Sequence, residues 1–139
     1  MFSSAQIAKE IAQIMPVIAR TILSDFFQSV DITQSQVFTL LALEEQSPCR
    51  LSELSQRLKI SAPTVTGLVD RLEKLQYLKR IPDPTDRRAI QVDLTDKGNK
   101  VIKKLRLTIE RKWIGILQKL STQDSENYLK ILRKIYEAI

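Results

Sequence analysis

The sequence predicts a mainly α fold that carries one small β-hairpin. Three observations lead there. Apolar residues recur at steps of three and four along most of the chain, as in helices with one buried stripe. Between residues 52 and 75 two such stretches are separated by only three or four residues, the spacing of a helix-turn-helix. Residues 77–94 then switch to a period of two around a cluster of turn residues, the spacing of a hairpin. A hairpin directly after the second helix is a wing. The expected architecture is one domain over residues 1–139, with a winged helix-turn-helix over 33–95 and flanking helices over 5–30 and 96–139.

Residues 5–29 place Ile7, Ile11, Ile14, Ile18, Ile22 and Phe26 on one helical stripe. Pro16 lies inside it, lacks an amide donor and clashes with the carbonyl of Ala12, so a kink or break is expected there. Thr33-Gln34-Ser35-Gln36 is a capping box that opens the next helix, and Val37, Leu40, Leu41 and Leu43 face inward before Ser47-Pro48 ends it. Ser52 is placed to cap a short helix carrying Leu54 and Leu58. Ser61 caps the helix after it, where Pro63 is tolerated in the first turn. On that second helix Val65, Leu68, Leu72 and Leu75 are expected to face the core. Strands are expected over 78–81 and 89–94, the second alternating through Ile90, Val92 and Leu94. Thr95 caps a long helix running to about residue 120, with Ile102, Leu105, Ile109, Trp113, Ile116 and Leu120 on its stripe. Ser121 caps the last helix, whose stripe is Leu129, Leu132, Ile135 or Tyr136, and Ile139.

Composition narrows the function. Apolar residues make up 43% and charged residues 27%, as in ordinary globular proteins. No apolar run approaches the ~20 residues a membrane span needs. The start, MFSSAQIAKEIAQ, lacks a basic segment followed by an apolar one, so the expected location is the cytoplasm. The chain has no histidine, one cysteine, no metal-ligand cluster and no phosphate-cradling glycine loop. An enzyme is therefore the class least supported, and no cofactor or metal is expected.

Charge is more telling when placed along the chain. Residues 50–104 hold 13 Lys/Arg against 7 Asp/Glu, whereas the rest holds 9 of each, so the whole excess of +6 sits in the centre. A localised cationic excess points to a polyanion. The outward positions of the 61–75 helix are Ser61, Ala62, Pro63, Thr64, Thr66, Gly67, Asp70, Arg71 and Lys74. Small and hydroxylated side chains come first and cations follow, which suits a helix entering a major groove end-on. A merely capped, solvent-facing helix start is the rival reading. Gly67 is costly inside a helix by about 1 kcal/mol relative to Ala. Close approach to DNA or to the preceding helix explains it, and simple tolerance is the alternative. On the hairpin tip Asp86, Arg87 and Arg88 have no apolar reason to be there. Arginine is favoured in a narrow minor groove, and Asp86 beside phosphate implies a local Asp–Arg pair that fixes the finger. A solvated turn without function is the alternative.

The stretches LSELSQRL from Leu51, SAPTVTGLVDRLEK from Ser61, DPTDRRA from Asp83 and LTDKG from Leu94 closely resemble the MarR family of regulators. The helix order also fits from about residue 5 to the end. The resemblance implies a homodimeric transcriptional regulator of double-stranded DNA, more often a repressor, in which the flanking helices are dimerisation helices. It implies that Arg88 enters the minor groove with Asp86 bracing it, and that Arg87 contacts the backbone. It also implies release by a small aromatic acid or phenol bound in a crevice between the dimer helices and the winged lobe. Two departures stand out. Gln76 occupies a position before the wing that is often glycine, so a different helix cap is expected. Gly67 stands where many members carry a larger polar side chain.

A winged lobe that has lost DNA and binds protein instead is the competing class. Neutral or acidic residues at 71, 74, 87 and 88 favour that class, whereas this chain has Arg71, Lys74, Arg87 and Arg88. Cys49 is expected to be structural or incidental rather than a redox sensor, although its neighbour Arg50 is expected to lower its pKa a little. Trp113 belongs to core or dimer packing.

Overall fold

The computed structural model describes residues 1–139. Six helices and three short strands follow one another as α1 (Ser4–Ser29), α2 (Gln34–Glu45), β1 (Cys49–Arg50), α3 (Leu51–Leu58), α4 (Ala62–Lys74), β2 (Leu78–Pro82), β3 (Ile90–Leu94), α5 (Asp96–Leu117) and α6 (Thr122–Ala138). They divide into two compact units: Phe26–Arg106, and Met1–Asp25 together with Leu107–Ile139.

The first unit is the winged lobe, and it contains every buried apolar residue except Ile22. Its sheet is antiparallel in the order β1-β3-β2, with Cys49 opposite Val92 on one side and Arg80 opposite Val92 on the other. The two-residue β1 is an addition to the expected hairpin. It is too short to show a period of its own and exists because β3 offers it an edge. Phe26, Leu40, Leu43, Leu54, Val65, Leu72 and Val92 form the centre of the core. The capping box at Thr33 is present in both directions, with the Gln36 amide donating to Thr33 Oγ1 and the Thr33 amide to Gln36 Oε1. Thr39, fully buried in this apolar interior, satisfies its hydroxyl by donating to the Ser35 carbonyl at 2.8 Å.

The start of α5 shows why the sequence reads Leu-Thr-x-x-Gly there. Thr95 Oγ1 accepts the Gly98 amide at 3.1 Å and donates to the Gln76 carbonyl at 2.5 Å, while the Thr95 amide donates to the Tyr77 carbonyl. This clamps the first turn of α5 onto the chain entering β2. A Cβ on Gly98 would lie 2.1 Å from the Tyr77 carbonyl oxygen, so only glycine fits. Arg106 and Glu44 pair across the same lobe.

Several expectations change. Ser52 is not a cap: α3 begins at Leu51 straight out of β1, with Arg50 as its N-cap residue and no side-chain capping bond. Leu75 is 37% exposed, and Val69 takes its place in the core at 0%. The reason is helical geometry, because Val69 lies one residue from Leu68 on the same broad buried face. In the second unit α1 runs unbroken through Pro16. A proline removes one donor from a long helix without ending it when the remaining bonds hold. α5 stops at Leu117, and residues 118–120 make tighter turn bonds before Ser121 caps α6 through the Asp124 amide. Within this unit Lys112 pairs with Asp25 at 2.7 Å and the Trp113 ring packs on Tyr128 at 5.2 Å. Its apolar stripes are otherwise open: Ile7, Ile11, Ile14, Leu129 and Ile135 are each about half exposed, and α6 buries no residue at all.

Candidate nucleic-acid interface

The helix-turn-helix is fixed by its turn. Lys59 adopts a left-handed conformation (φ 53°), with its amide bonded to the Gln56 carbonyl and that of Ile60 to the Ser55 carbonyl. The Ser55 hydroxyl returns a bond to the Ile60 carbonyl at 2.6 Å. From the same helix, Arg57 donates to the carbonyls of Ala42 and Gln46 at the end of α2. α3 is thus tied to α2 on one side and to the turn on the other.

α4 follows with Ser61 as its cap, accepting the Thr64 amide at 3.4 Å and sharing a 2.8 Å hydrogen bond with the Thr64 hydroxyl. Thr66 donates its hydroxyl to the Ala62 carbonyl at 3.0 Å. Both threonines are exposed. Val65, Leu68, Val69 and Leu72 bury the opposite side of the helix. The expected reading residues Ser61, Ala62, Pro63, Thr64, Thr66, Arg71 and Lys74 are exposed on one side, and Gly67 is half-buried among them. A Cβ on Gly67 would touch nothing within 4 Å, so close approach to the preceding helix is not its reason.

α4 ends in a left-handed cap after all. Gln76 has φ 65°, its amide bonds to the Glu73 carbonyl, and the Tyr77 amide reaches the Leu72 carbonyl at 2.9 Å. This is the Schellman arrangement that glycine usually makes, with glutamine bearing the strain instead. The expectation of a different cap is therefore corrected. Immediately beyond it, Arg80 on β2 reaches back to both acids of α4, to Asp70 at 2.5 Å and Glu73 at 2.7 Å. The carboxylates that would repel phosphate are neutralised from inside the lobe. The Glu73–Arg80 contact also welds reading helix to wing strand.

In the wing, Asp83 is the organising residue. One of its oxygens accepts the Thr85 amide and hydroxyl, both at 2.8 Å, and the Asp86 amide at 3.2 Å. The other accepts Arg50 Nε at 2.7 Å. The Thr85 amide foremost, then the Arg50 guanidinium and the Thr85 hydroxyl, hold the Asp83 carboxyl well below the usual carboxylate range. Asp86 accepts the backbone amide of Arg88 at 2.9 Å. The expected brace is therefore made to main chain and not to a guanidinium, because a short side chain in a tight turn reaches the amide two residues on first. Arg50, Asp83 and Arg80 were missed in the sequence, although Asp83-Pro84-Thr85 has the signature of an aspartate-led turn.

The arginines of the lobe, together with Lys74 on α4, fall into two groups. Arg50, Arg57, Arg80 and Arg106 are each ion-paired. Arg71, Lys74, Arg87 and Arg88 are exposed, and none of their side chains makes an ion pair. A groove of about 610 Å³ opens beside α4, lined by Phe38 and Ile60 and sharing Thr64, Gly67 and Arg71 with the reading face. Cys49 is 1% exposed, and burial pushes its thiol up. The lowering influence on it is Arg57 rather than Arg50, whose guanidinium is committed to Asp83.

The MarR family model matches residues 32–90. YhbI, an HTH-type transcriptional regulator of Bacillus subtilis, is 30% identical over 84% of this chain and 73% of its own length. The crystal structure of the transcriptional regulator Tm0710 from Thermotoga maritima is 36% identical, with a TM-score of 0.72 over 96% of this chain and 92% of that one. A Staphylococcus aureus MepR mutant bound to an oligodeoxyribonucleotide shares the fold at a TM-score of 0.68 and 24% identity, over 99% of each chain. With the winged lobe, its reading helix and its wing laid out in this order, the chain belongs to the MarR family of DNA-binding transcriptional regulators.

Proposed function

We propose that the chain works as a homodimeric repressor that reads one pseudopalindromic operator in double-stranded DNA. α4 enters the major groove with its N-terminus leading. Ser61, Ala62, Pro63, Thr64, Thr66 and Gly67 let the backbone come close, and Arg71 and Lys74 meet base edges or phosphates. The wing lies over the adjacent minor groove with Arg88 inserted, Arg87 on the backbone and Asp86 holding the Arg88 main chain. The observation that carries this reading is the unpaired state of Arg71, Lys74, Arg87 and Arg88 in a lobe whose other arginines are all paired. Four exposed cations on two adjacent elements, with Asp70 and Glu73 of α4 already paired to Arg80, are a footprint for phosphate. The oligonucleotide held by the MepR mutant of the same fold supports it.

The open stripes of α1, α5 and α6 support dimerisation through the residues outside the lobe, since a folded unit rarely leaves contiguous apolar helix faces in water. Two copies related by a two-fold axis place their α4 helices on half-sites about one DNA turn apart. The groove beside α4 is lined by the lobe alone and is not the crevice between dimer helices and lobe that the resemblance implies; a small aromatic acid or phenol seated in it against Phe38 and Arg71 would compete with DNA for the same face. Cys49 acts as a core residue in this reading.

Selection from random DNA followed by titration tests the proposal. At physiological salt the selected site should bind at least ~1,000-fold more tightly than random duplex, with steep salt dependence. Equal affinities would reject operator reading. Arg88→Ala should weaken binding by roughly 1–3 kcal/mol, most at A·T-rich minor-groove positions.

A further inference from the structure

We infer that Arg50 and Asp83 form a strut that positions the wing for DNA, although neither is among the residues assigned to touch it. The inference rests on the reading that Arg88 enters the minor groove. Arg50 is the second residue of β1, paired to Gln91 of β3, and is followed at once by α3. Its Nε–H···Oδ2 bond to Asp83 at 2.7 Å crosses 33 positions of sequence, from the entrance of the helix-turn-helix to the root of the wing loop. The Asp83 side chain is 2% exposed, so this acid is held inside the loop and is not presented to a ligand.

From Asp83 the bonds continue outward without a gap. Its second oxygen holds the amides of Thr85 and Asp86, Asp86 holds the amide of Arg88, and the Ala89 amide closes on the Asp86 carbonyl at 3.1 Å. Arg50 and Arg88 end up lining one surface depression together with Ser52. The wing tip makes no apolar contact of its own that fixes it, since residues 84–88 are all exposed. Its position comes from this relay together with the Asp83 amide bond to the Ala89 carbonyl at the root of the hairpin, and Arg50 is the side chain that ties the relay to the helix-turn-helix. The consequence is that the finger and the reading helix share one foundation. A wing left to move would spread Arg88 over many positions and lose affinity through the entropy of ordering it on DNA.

The sign of one substitution separates this role from plain electrostatics. Asp83→Asn removes a negative charge next to a DNA-binding surface, which by Coulomb's law alone should tighten binding. A strut predicts the opposite. Asparagine keeps one acceptor for the Thr85 and Asp86 amides and turns an NH₂ toward Arg50 Nε, so only the anchor is broken.

Two measurements on the full-length protein test it. Amide order parameters of residues 85–88 in the free protein should fall in Asp83→Asn from rigid values near ~0.85 toward ~0.6, with α4 unchanged. Operator affinity should fall about tenfold, and no further fall should appear when Asp83→Asn is added to Arg88→Ala. Unchanged order parameters, or affinity that stays equal or rises, would overturn the strut. So would a loss that persists in full in the Arg88→Ala background, since Asp83 would then act elsewhere. Should Arg88→Ala by itself leave affinity intact, the minor-groove reading fails and with it the strut's role in DNA binding, whereas the order parameters, measured without DNA, still report whether Arg50–Asp83 holds the wing.

Discussion

Between residues 26 and 106 nearly every apolar side chain on an inward face is covered, whereas stripes of the same kind on α1, α5 and α6 remain half exposed. Leu54 and Leu72 are 0% exposed in the lobe; Leu129 and Ile135, at equally regular helical spacing, are 48% and 51% exposed. The two regions differ in charge as well, the excess of +6 lying entirely within residues 50–104. A chain that closes one core and leaves another open has divided its work. The lobe closes its own core beneath a charged surface, and on the proposed dimer the flanking helices close theirs against a second apolar face.

The largest effect should come from attacking that open face. Leu129→Glu combined with Ile135→Glu places two charges where the proposed partner helix packs, and sedimentation should show a monomer. Operator affinity should then fall about a hundredfold or more, because two half-sites are no longer engaged together. Thermal melting should also lose its dependence on protein concentration. A variant that stays dimeric with unchanged affinity would break the comparison, since the open stripes would then serve something else.

Next in size is a change inside the closed region. Gly98→Ala drives a methyl group into the Tyr77 carbonyl, 2.1 Å away, and that neighbour is backbone that cannot rotate aside. The clamp of α5 onto the wing should lose about 3 kcal/mol, seen as a fall of roughly 10 °C in Tm. Gly67→Ala is its counterpart on the reading face. It meets open space, so helix propensity should raise stability by about 1 kcal/mol. Operator affinity should fall nonetheless if DNA approaches at Gly67 as proposed; unchanged affinity would reduce Gly67 to a tolerated residue.

The parts of this molecule that were legible in advance share a physical basis. Periodicity and caps are local, so the helices, both strands, the Thr33 box and the exposed positions of α4 could be read from residues a few places apart. Leu75 and Val69 were exchanged because a stripe drawn by spacing ignores how wide the buried face is. β1 was invisible, since two residues carry no period and the strand exists only by pairing with β3. The same holds for Arg50–Asp83 and Arg80–Glu73: each joins residues whose types are ordinary where they stand, and only the fold brings them within 2.7 Å. Asp86 was assigned to a guanidinium and binds an amide, because turn geometry decides the nearest donor.

The smallest effect concerns the joint between reading helix and wing. Gln76 holds a left-handed conformation that costs a residue with a Cβ about 1–2 kcal/mol. Glycine would relieve that strain but lose roughly 0.5–1 kcal/mol of chain entropy. Gln76→Gly should therefore stabilise the protein by about 0.5 kcal/mol, as a higher urea midpoint with an unchanged slope. The Gln76 and Tyr77 amides already bond the Glu73 and Leu72 carbonyls, so the path of the chain into β2 has no reason to move. DNA affinity should stay where it is. A gain in stability accompanied by weaker binding would show that the strained cap itself sets the angle between α4 and the wing, and that the lobe is less rigid than its core implies.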